Sequence, residues 1–427
     1  MIIKTDFKNY GSFQDSMKAP VHRWFTYPAG YSYKFVEAKI EENKLEPGCW
    51  IADPFLGTGT TSLAGKMGGI NSLGIEAHPF VYWVAQTKMR FDYDLNILFR
   101  DIQKIINIAK STVNYQYNDL WPELVSKCFG EDNLHKLYAL KKSIVESDID
   151  PFHIDFLKLA LTATLRIVTT AGSGWPYIAP SKYARKMIER DAFKEFEKQC
   201  MLMLSDLSYV HSLALPFSEH KIIQGDARKL SLYTLPDSID LIITSPPYLN
   251  NYDYADRTRL ETYFWGIYNN WGEITRNVRD NLMVAATTQV RLGKMNGITD
   301  CPTIKRLSPD IHEQLVQIIH QLTDMRMIKA GKKTYDYVVA SYFEDMVKVL
   351  SEAYSVLKPG RQFILVLGDS APYGVHIETE KIVGQLAVAV GFRKYELEML
   401  RKRGDKWAHN PQRHTIPLRE SVLTILK

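Results

Sequence analysis

The chain has 427 residues and a mass of 49.1 kDa, with 45% hydrophobic and 24% charged residues, which excludes a disordered, collagenous or coiled-coil polypeptide and gives room for two domains or one heavily inserted domain. Its 53 basic residues against 48 acidic ones leave a net charge of +5, which allows a polyanionic partner without demanding one. Cys49, Cys128, Cys200 and Cys301 are scattered with no C-x-x-C pair, MIIKTDFKNYGSF lacks the order of a signal peptide, and no apolar run nears the roughly 18 residues of a membrane span, so neither disulfides, a metal site nor a membrane is expected and the location expected is cytoplasmic.

In chain order, CWIAD (49–53) has the apolar run of a buried strand, followed by Gly-rich FLGTGTT and a helical segment to Met67. NSLGIE (71–76) completes a strand, loop, helix, strand unit. About 140 residues then separate it from the next strand, and LNILFRDIQKIINIAK, NLHKLYALKKSIV, FHIDFLKLALTATLRIV and ARKMIERDAFKEFEKQCMLMLSDLSYV give them a helical pattern. The strands KIIQGD (221–226) and IDLIIT (239–244) follow. After them a second excess runs from Leu249 to about Thr334, with VRLGKMNGITDCPTIKRL and MIKAGKKTYDY expected to be basic and irregular. SEAYSVLKPG (351–360) predicts a helix stopped by Pro-Gly, QFILVLGD (362–369) a strand, IETEKIVGQLAVAVGF (377–392) a helix stopped at Gly391, and YELEML and SVLTILK terminal strands.

Two segments carry chemistry. In DPFLGTGTT (53–61) the glycines let backbone approach a ligand at the carboxyl end of a strand, yet no Gly-Lys-Ser/Thr follows and Ser62 breaks the G-x-G-x-x-G pattern, so phosphate cradling is not favoured. Glu76 closes the next strand, where a carboxylate can accept hydrogen bonds from two ribose hydroxyls. In TSPPYLNNYDYADR (244–257) two prolines end a buried strand in a rigid loop. There the Ser245 hydroxyl and Pro246 carbonyl can accept hydrogen bonds from a flat amine, Pro247 fixes the chain, and Tyr248 offers a stacking face.

Through DPFLGTGTT and TSPPY the chain resembles the S-adenosylmethionine-dependent amino-methyltransferases of DNA, over roughly 20–80, 220–260 and 340–427. The resemblance implies an α/β fold with a Rossmann-like, mostly parallel class I methyltransferase sheet, from whose pattern the helical insertion and the second, basic insertion depart. Mapped on the sequence, 1–80 holds the N-terminal segment and cofactor half, 81–215 the helical insertion, 216–250 the catalytic half, 251–335 the second insertion and 336–427 the C-terminal part of the sheet. It further implies that Asp53, Pro54, Phe55, Gly57, Gly59 and Thr60 line the methionine part of S-adenosylmethionine, that Glu76 holds its ribose, and that Asp226 beside Ala227 accepts its adenine amine. Phe25, Tyr27 and Pro28 are further candidates to cover the cofactor, and Ser245, Pro246, Pro247 and Tyr248 form the catalytic loop.

Serine at the head of that loop is more usual in enzymes acting on N4 of cytosine than on N6 of adenine, and no cysteine follows a proline after a strand as the carbon-5 chemistry needs. The expected substrate is double-stranded DNA with a flipped base, with Tyr248 contributing its ring face. RNA and adenine acceptors and a silent binding subunit are the alternatives. Arg257, Arg259, Lys182 and Arg185 are candidate DNA contacts, the last two within a loop at 173–186, and KWAHNPQRHTIPLRE is expected near cofactor or DNA. A cognate restriction endonuclease acting separately is the implied companion, with monomer and dimer both open.

Overall fold

The described residues are 13–27, 30–113, 121–174, 177–183, 189–250, 253–290, 300–331, 333–403 and 416–427 of a computed structural model. Their strands are β1 (Trp50–Asp53), β2 (Asn71–Glu76), β3 (Ala171–Gly174), β4 (Tyr177–Tyr183), β5 (His220–Gln224), β6 (Ile239–Thr244), β7 (Leu357–Gly368), β8 (Lys394–Arg403) and β9 (Leu418–Leu426). Seven of them form one sheet in the order β5-β2-β1-β6-β7-β9-β8. The first five strands of that order are parallel, and β9 runs antiparallel to both of its neighbours. The order reverses between β1 and β6, which opens a crevice where the carboxyl ends of these two strands diverge. This is the Rossmann-like methyltransferase sheet that the motifs imply.

Period-two alternation sends the two sets of strand side chains to opposite faces. Ile51, Leu241, Ile243, Ile364, Val366 and Val422 pack with the helix Tyr33–Glu42 and Ala64 on one face. Ala52, Leu73, Ile75, Ile242, Phe363, Leu365, Leu423 and Ile425 pack on the other, against the helices Pro309–Ile328, Tyr335–Val356 and Thr379–Val390. The helical insertion builds its own core from Leu95–Thr112, Glu131–Val145, Pro151–Val168 and Ala192–Ser212. The second insertion is divided between the two bodies: Leu260, Tyr263, Phe264, Ile274 and Val278 join the helical insertion, while Ile304, Ile311, Leu315 and Ile319 join the sheet. No helix among the described residues is long and apolar enough to cross a membrane.

The structure corrects several local expectations. The stretch that follows the fourth expected strand is not irregular, since Pro302–Leu307 and the 20-residue Pro309–Ile328 are helices; residues 291–299 lie outside the described residues. The helix expected at 351–360 spans Tyr335–Val356, and Lys358-Pro359-Gly360 already belongs to β7. Pro359 lacks a ladder donor and Gly360 has φ +74°, and the pairing register shifts between Ile239 and Leu241, so the chain leaves the helix at Val356 and enters the sheet through a bulge. The segment at 173–186 is no plain loop: β3 and β4 pair as an antiparallel hairpin. The last helix of the insertion starts at Ala192, because the Asp191 carboxylate accepts from the Lys194 amide and caps it there.

One buried carboxylate joins the insertion to the chain's N-terminal segment. Asp206, 2% exposed, accepts from the Val21 amide at 2.9 Å, from Arg23 Nε at 3.1 Å and from Trp24 Nε1 at 3.0 Å. Replacing Asp206 with Ala leaves these donors without their charged acceptor, and the expected loss in a urea titration is about 2–4 kcal/mol. An unchanged midpoint would show that the tether contributes nothing to folding.

Candidate active site

A cleft of about 900 Å³, its open mouth included, lies at the carboxyl ends of β1, β2 and β6. Tyr27, Pro54, Phe55, Gly57, Thr60, Glu76, Asp226, Ala227, Ser245 and Pro247 all line it. Gly57 and Gly59 take φ +57° and +93°, the left-handed region that glycine enters without strain, and Gly59 precedes the helix Thr60–Met67 as its N-cap. The loop therefore folds back over the strand end and presents its backbone to the cleft.

Glu76 stands on the floor of this half. Its Oε2 accepts from the Gly57 amide and its Oε1 from the His78 amide, each at 2.8 Å, so the carboxylate is aimed by backbone while each oxygen keeps a lone pair for a ligand hydroxyl. Burial pushes its pKa up to about 7, a rise that the His78 and Gly57 amides only partly offset. His78 is neutral, held down to about 3 by burial; its Nε2 pairs with Thr258 Oγ1 at 2.7 Å, while its buried Nδ1 has no partner among the described residues. On the far wall Asp226 caps the turn Ala227–Leu232 and is gripped by Arg228 Nε at 2.9 Å. Although burial alone would raise the Asp226 carboxyl, this guanidinium holds it below its ordinary value.

Asp53 departs from the role expected of it. It is 1% exposed and not on the cleft wall, because its oxygens are taken by Thr244 Oγ1 and Thr61 Oγ1, each at 2.5 Å, the Phe55 amide at 3.0 Å and the Tyr31 hydroxyl at 3.2 Å. Burial raises its pKa in spite of these donors. Gly59 likewise acts behind the wall, and Phe25 is buried edge-on to Phe80 with ring centroids 6.0 Å apart.

The TSPPY loop leaves β6 so that Ser245 and Pro247 face the cleft, while Pro246 is buried behind them. Tyr248 is turned further round: its hydroxyl donates to Glu420 Oε1 at 2.7 Å, and burial together with that carboxylate pushes its pKa well up. Sequence reasoning also missed Tyr31, His78, Tyr254, Asn281, Leu282 and Met283, which complete the walls. His78 follows Glu76 by two residues and could have been found by that spacing; Asn281 to Met283 come from the second insertion, where no motif marks them.

The arginines proposed as DNA contacts are committed inward to different degrees. Arg257 is 7% exposed, pairs with Glu261 Oε1 at 3.3 Å and donates to the Thr26 carbonyl at 3.2 Å, so it is not a surface phosphate contact. Its carboxylate partner is fully buried between it and Arg166, and such a charge retains its cations. Arg259 pairs with Asp256 at 3.0 Å and lies over the Trp271 ring at 5.1 Å. Lys182 belongs to β4, but its side chain, like Arg185, Pro28 and the segment around His409, Arg413 and His414, lies outside the described residues.

No family model matches the chain. It is 24% identical to the type II methyltransferase M.BsoBI of Geobacillus stearothermophilus over 96% of its own length and 86% of that protein's. It is also 24% identical to M.AvaI of a Nostoc strain, over 91% and 82% of the two chains, and 22% identical to M.MvaI of Kocuria varians, over 91% and 85%. The chain is a relative of the type II methyltransferases. S-adenosylmethionine is its methyl donor, supplying an electrophilic methyl group on a sulfonium. The cleft suits that molecule: Glu76 presents its carboxylate beside a glycine loop whose Gly57 has only the Tyr27 ring within 4 Å of an added Cβ.

A ribose hydroxyl donates best to ionised Glu76, and the folded-state value of about 7 lies above the ordinary carboxylate range. Donor affinity should therefore fall as pH drops through 7, by up to about tenfold per unit below it, and Glu76→Gln should flatten the profile. Calorimetry between pH 6 and 8.5 measures both; a flat wild-type profile removes Glu76 from the ribose.

Proposed function

We propose that the chain transfers the methyl group of S-adenosylmethionine to the exocyclic N4 amine of cytosine in double-stranded DNA, on a base turned out of the helix. The observation that carries this reading is that Ser245 and Pro247 share one cleft with Gly57, Glu76 and Asp226, so donor and acceptor are held in a common volume. An exocyclic amine conjugated to its ring is a poor nucleophile. Hydrogen bonds accepted from it by the Ser245 hydroxyl and the Pro246 carbonyl return electron density to nitrogen as the methyl approaches, and no covalent intermediate is needed.

Ser245 at the head of the loop favours cytosine N4. Carbon-5 chemistry, which needs a thiolate, is disfavoured by the cysteines: burial pushes Cys128 up to about 11 and Cys301 up to about 12 and raises Cys200 well above the ordinary thiol, and Cys49 precedes β1 at the end away from the cleft. A separate restriction endonuclease of the same specificity is the companion that this activity implies, since the methyl mark would protect host DNA, and the reaction belongs in the cytoplasm.

The test is incubation with tritiated donor and plasmid DNA, then mass spectrometry of the nucleosides. N4-methyldeoxycytidine is the expected product, and Ser245→Ala should slow turnover by about ten- to hundredfold with donor affinity nearly unchanged, because one amine hydrogen bond is lost. Methylated adenine alone overturns the cytosine assignment, label entering RNA but not DNA overturns the DNA assignment, and donor binding with no transfer to either marks a silent binding subunit.

A further inference from the structure

The catalytic loop is gripped from the C-terminal end of the sheet by residues that no motif names. The Tyr248 hydroxyl donates to Glu420 Oε1 at 2.7 Å, and Glu420, only 3% exposed, accepts on Oε2 from Arg401 Nε at 2.5 Å. The antiparallel register of β8 and β9 sets Arg401 opposite Glu420, so the ion pair is built into the sheet. Two residues further along β8, on the same face of the strand, the Arg403 guanidinium lies 5.0 Å from the centre of the Tyr248 ring, and its Nη1 donates to the Asp369 carbonyl at 3.2 Å just beyond β7.

The hydroxyl and one face of a single tyrosine are thus fixed by different strands. A buried carboxylate is unfavourable unless its charge is matched, and Arg401 supplies that match on one oxygen while the other oxygen is turned to the loop. A ring needed only as an apolar platform requires no such partner. An immobilised ring does matter for stacking, because the free energy of ordering it is then met in folding and not when the base arrives.

We propose that Glu420 is a positioning residue for methyl transfer: it fixes the tilt of Tyr248, with Arg403 backing the ring, so that the extruded base meets a stacking surface already locked in place. The proposal rests on the reading of Ser245 to Tyr248 as the catalytic loop. It also changes what the sequence implies for Tyr248, where the ring face alone was expected to count: the hydroxyl becomes necessary.

The experiment is single-turnover transfer of tritiated methyl from saturating donor to plasmid DNA by the full chain, compared among wild type, Tyr248→Phe, Glu420→Ala, Glu420→Gln and the Tyr248→Phe/Glu420→Ala double variant. Donor affinity is measured in parallel by calorimetry. Tyr248→Phe and Glu420→Ala should each slow transfer by about ten- to hundredfold with donor affinity within about twofold of wild type. The double variant should be no slower than the slower single one, since both changes cut the same contact, and Glu420→Gln should recover part of the rate by keeping an acceptor oxygen. Transfer by Tyr248→Phe at the wild-type rate overturns the proposal even if Glu420→Ala fails to fold, and multiplicative losses in the double variant overturn it too. If the wild type itself transfers no label to DNA, the methylation reading fails and the clamp falls with it; an active wild type with full-rate variants sinks the clamp alone.

Discussion

The four hydrogen bonds accepted by Asp53 couple the two halves of the site. Thr244 is the last residue of β6 and directly precedes Ser245; Thr61 opens the helix after the glycine loop; the Phe55 amide lies within that loop; and Tyr31 belongs to the segment before the first strand. The Tyr31 hydroxyl also contacts Thr61 Oγ1 directly. One carboxylate therefore fixes the donor loop and the root of the catalytic loop to a common point. In the proposed reaction their separation would set the distance between methyl and amine, where a displacement of about 1 Å can cost a hundredfold in rate. On that reading Asp53 would serve the reaction from behind the wall, by holding the loops that line the cleft.

A similar economy governs the insertions. Lys88, fully buried, donates to the Thr58 carbonyl at 2.9 Å and the His22 carbonyl at 3.3 Å, binding the donor loop to the N-terminal segment, which Asp206 of the helical insertion also holds. Burial alone pulls this amine down to about 7. The second insertion supplies Asn281, Leu282 and Met283 to the cleft, and the Asn281 carbonyl accepts from Arg228, the same side chain that holds Asp226. The second insertion thus walls the cleft directly, while the helical insertion reaches it only through the N-terminal segment that Asp206 holds.

The strands and both motifs were legible because buried parallel strands are short, continuous apolar runs and because loops at their carboxyl ends demand Gly and Pro. Glu76 and Ser245 could be placed at strand ends from those signals, and Asp226 from the resemblance that the two motifs carry. Tyr335–Val356 was largely hidden for the opposite reason: it is buried nearly all round, Asp336, Glu344 and Asp345 included, so no apolar stripe stands out against a polar face. Glu420 was illegible because its meaning comes from β-register, which pairs it with Arg401 on β8, and from the sheet order that brings β9 near the loop after β6. Local pattern carries no record of such long-range neighbours.

The charges around the catalytic loop show where an anionic polymer can and cannot be met. Arg257 and Arg166 are taken up by buried Glu261, Arg279 by Asp253 at 2.8 Å, and Arg228 by Asp226 and Asp345. These pairs are compensated internally, and a guanidinium whose carboxylate partner is buried gives up more by turning to a phosphate than the phosphate returns. Proximity in sequence to the catalytic motif is thus a poor guide to backbone contact in this chain. The arginines beside TSPPY stiffen the loop that follows β6, and in the proposed reaction counterion release would come from cations whose partners are exposed, as Lys305 with Asp300 or Lys381 with Glu378.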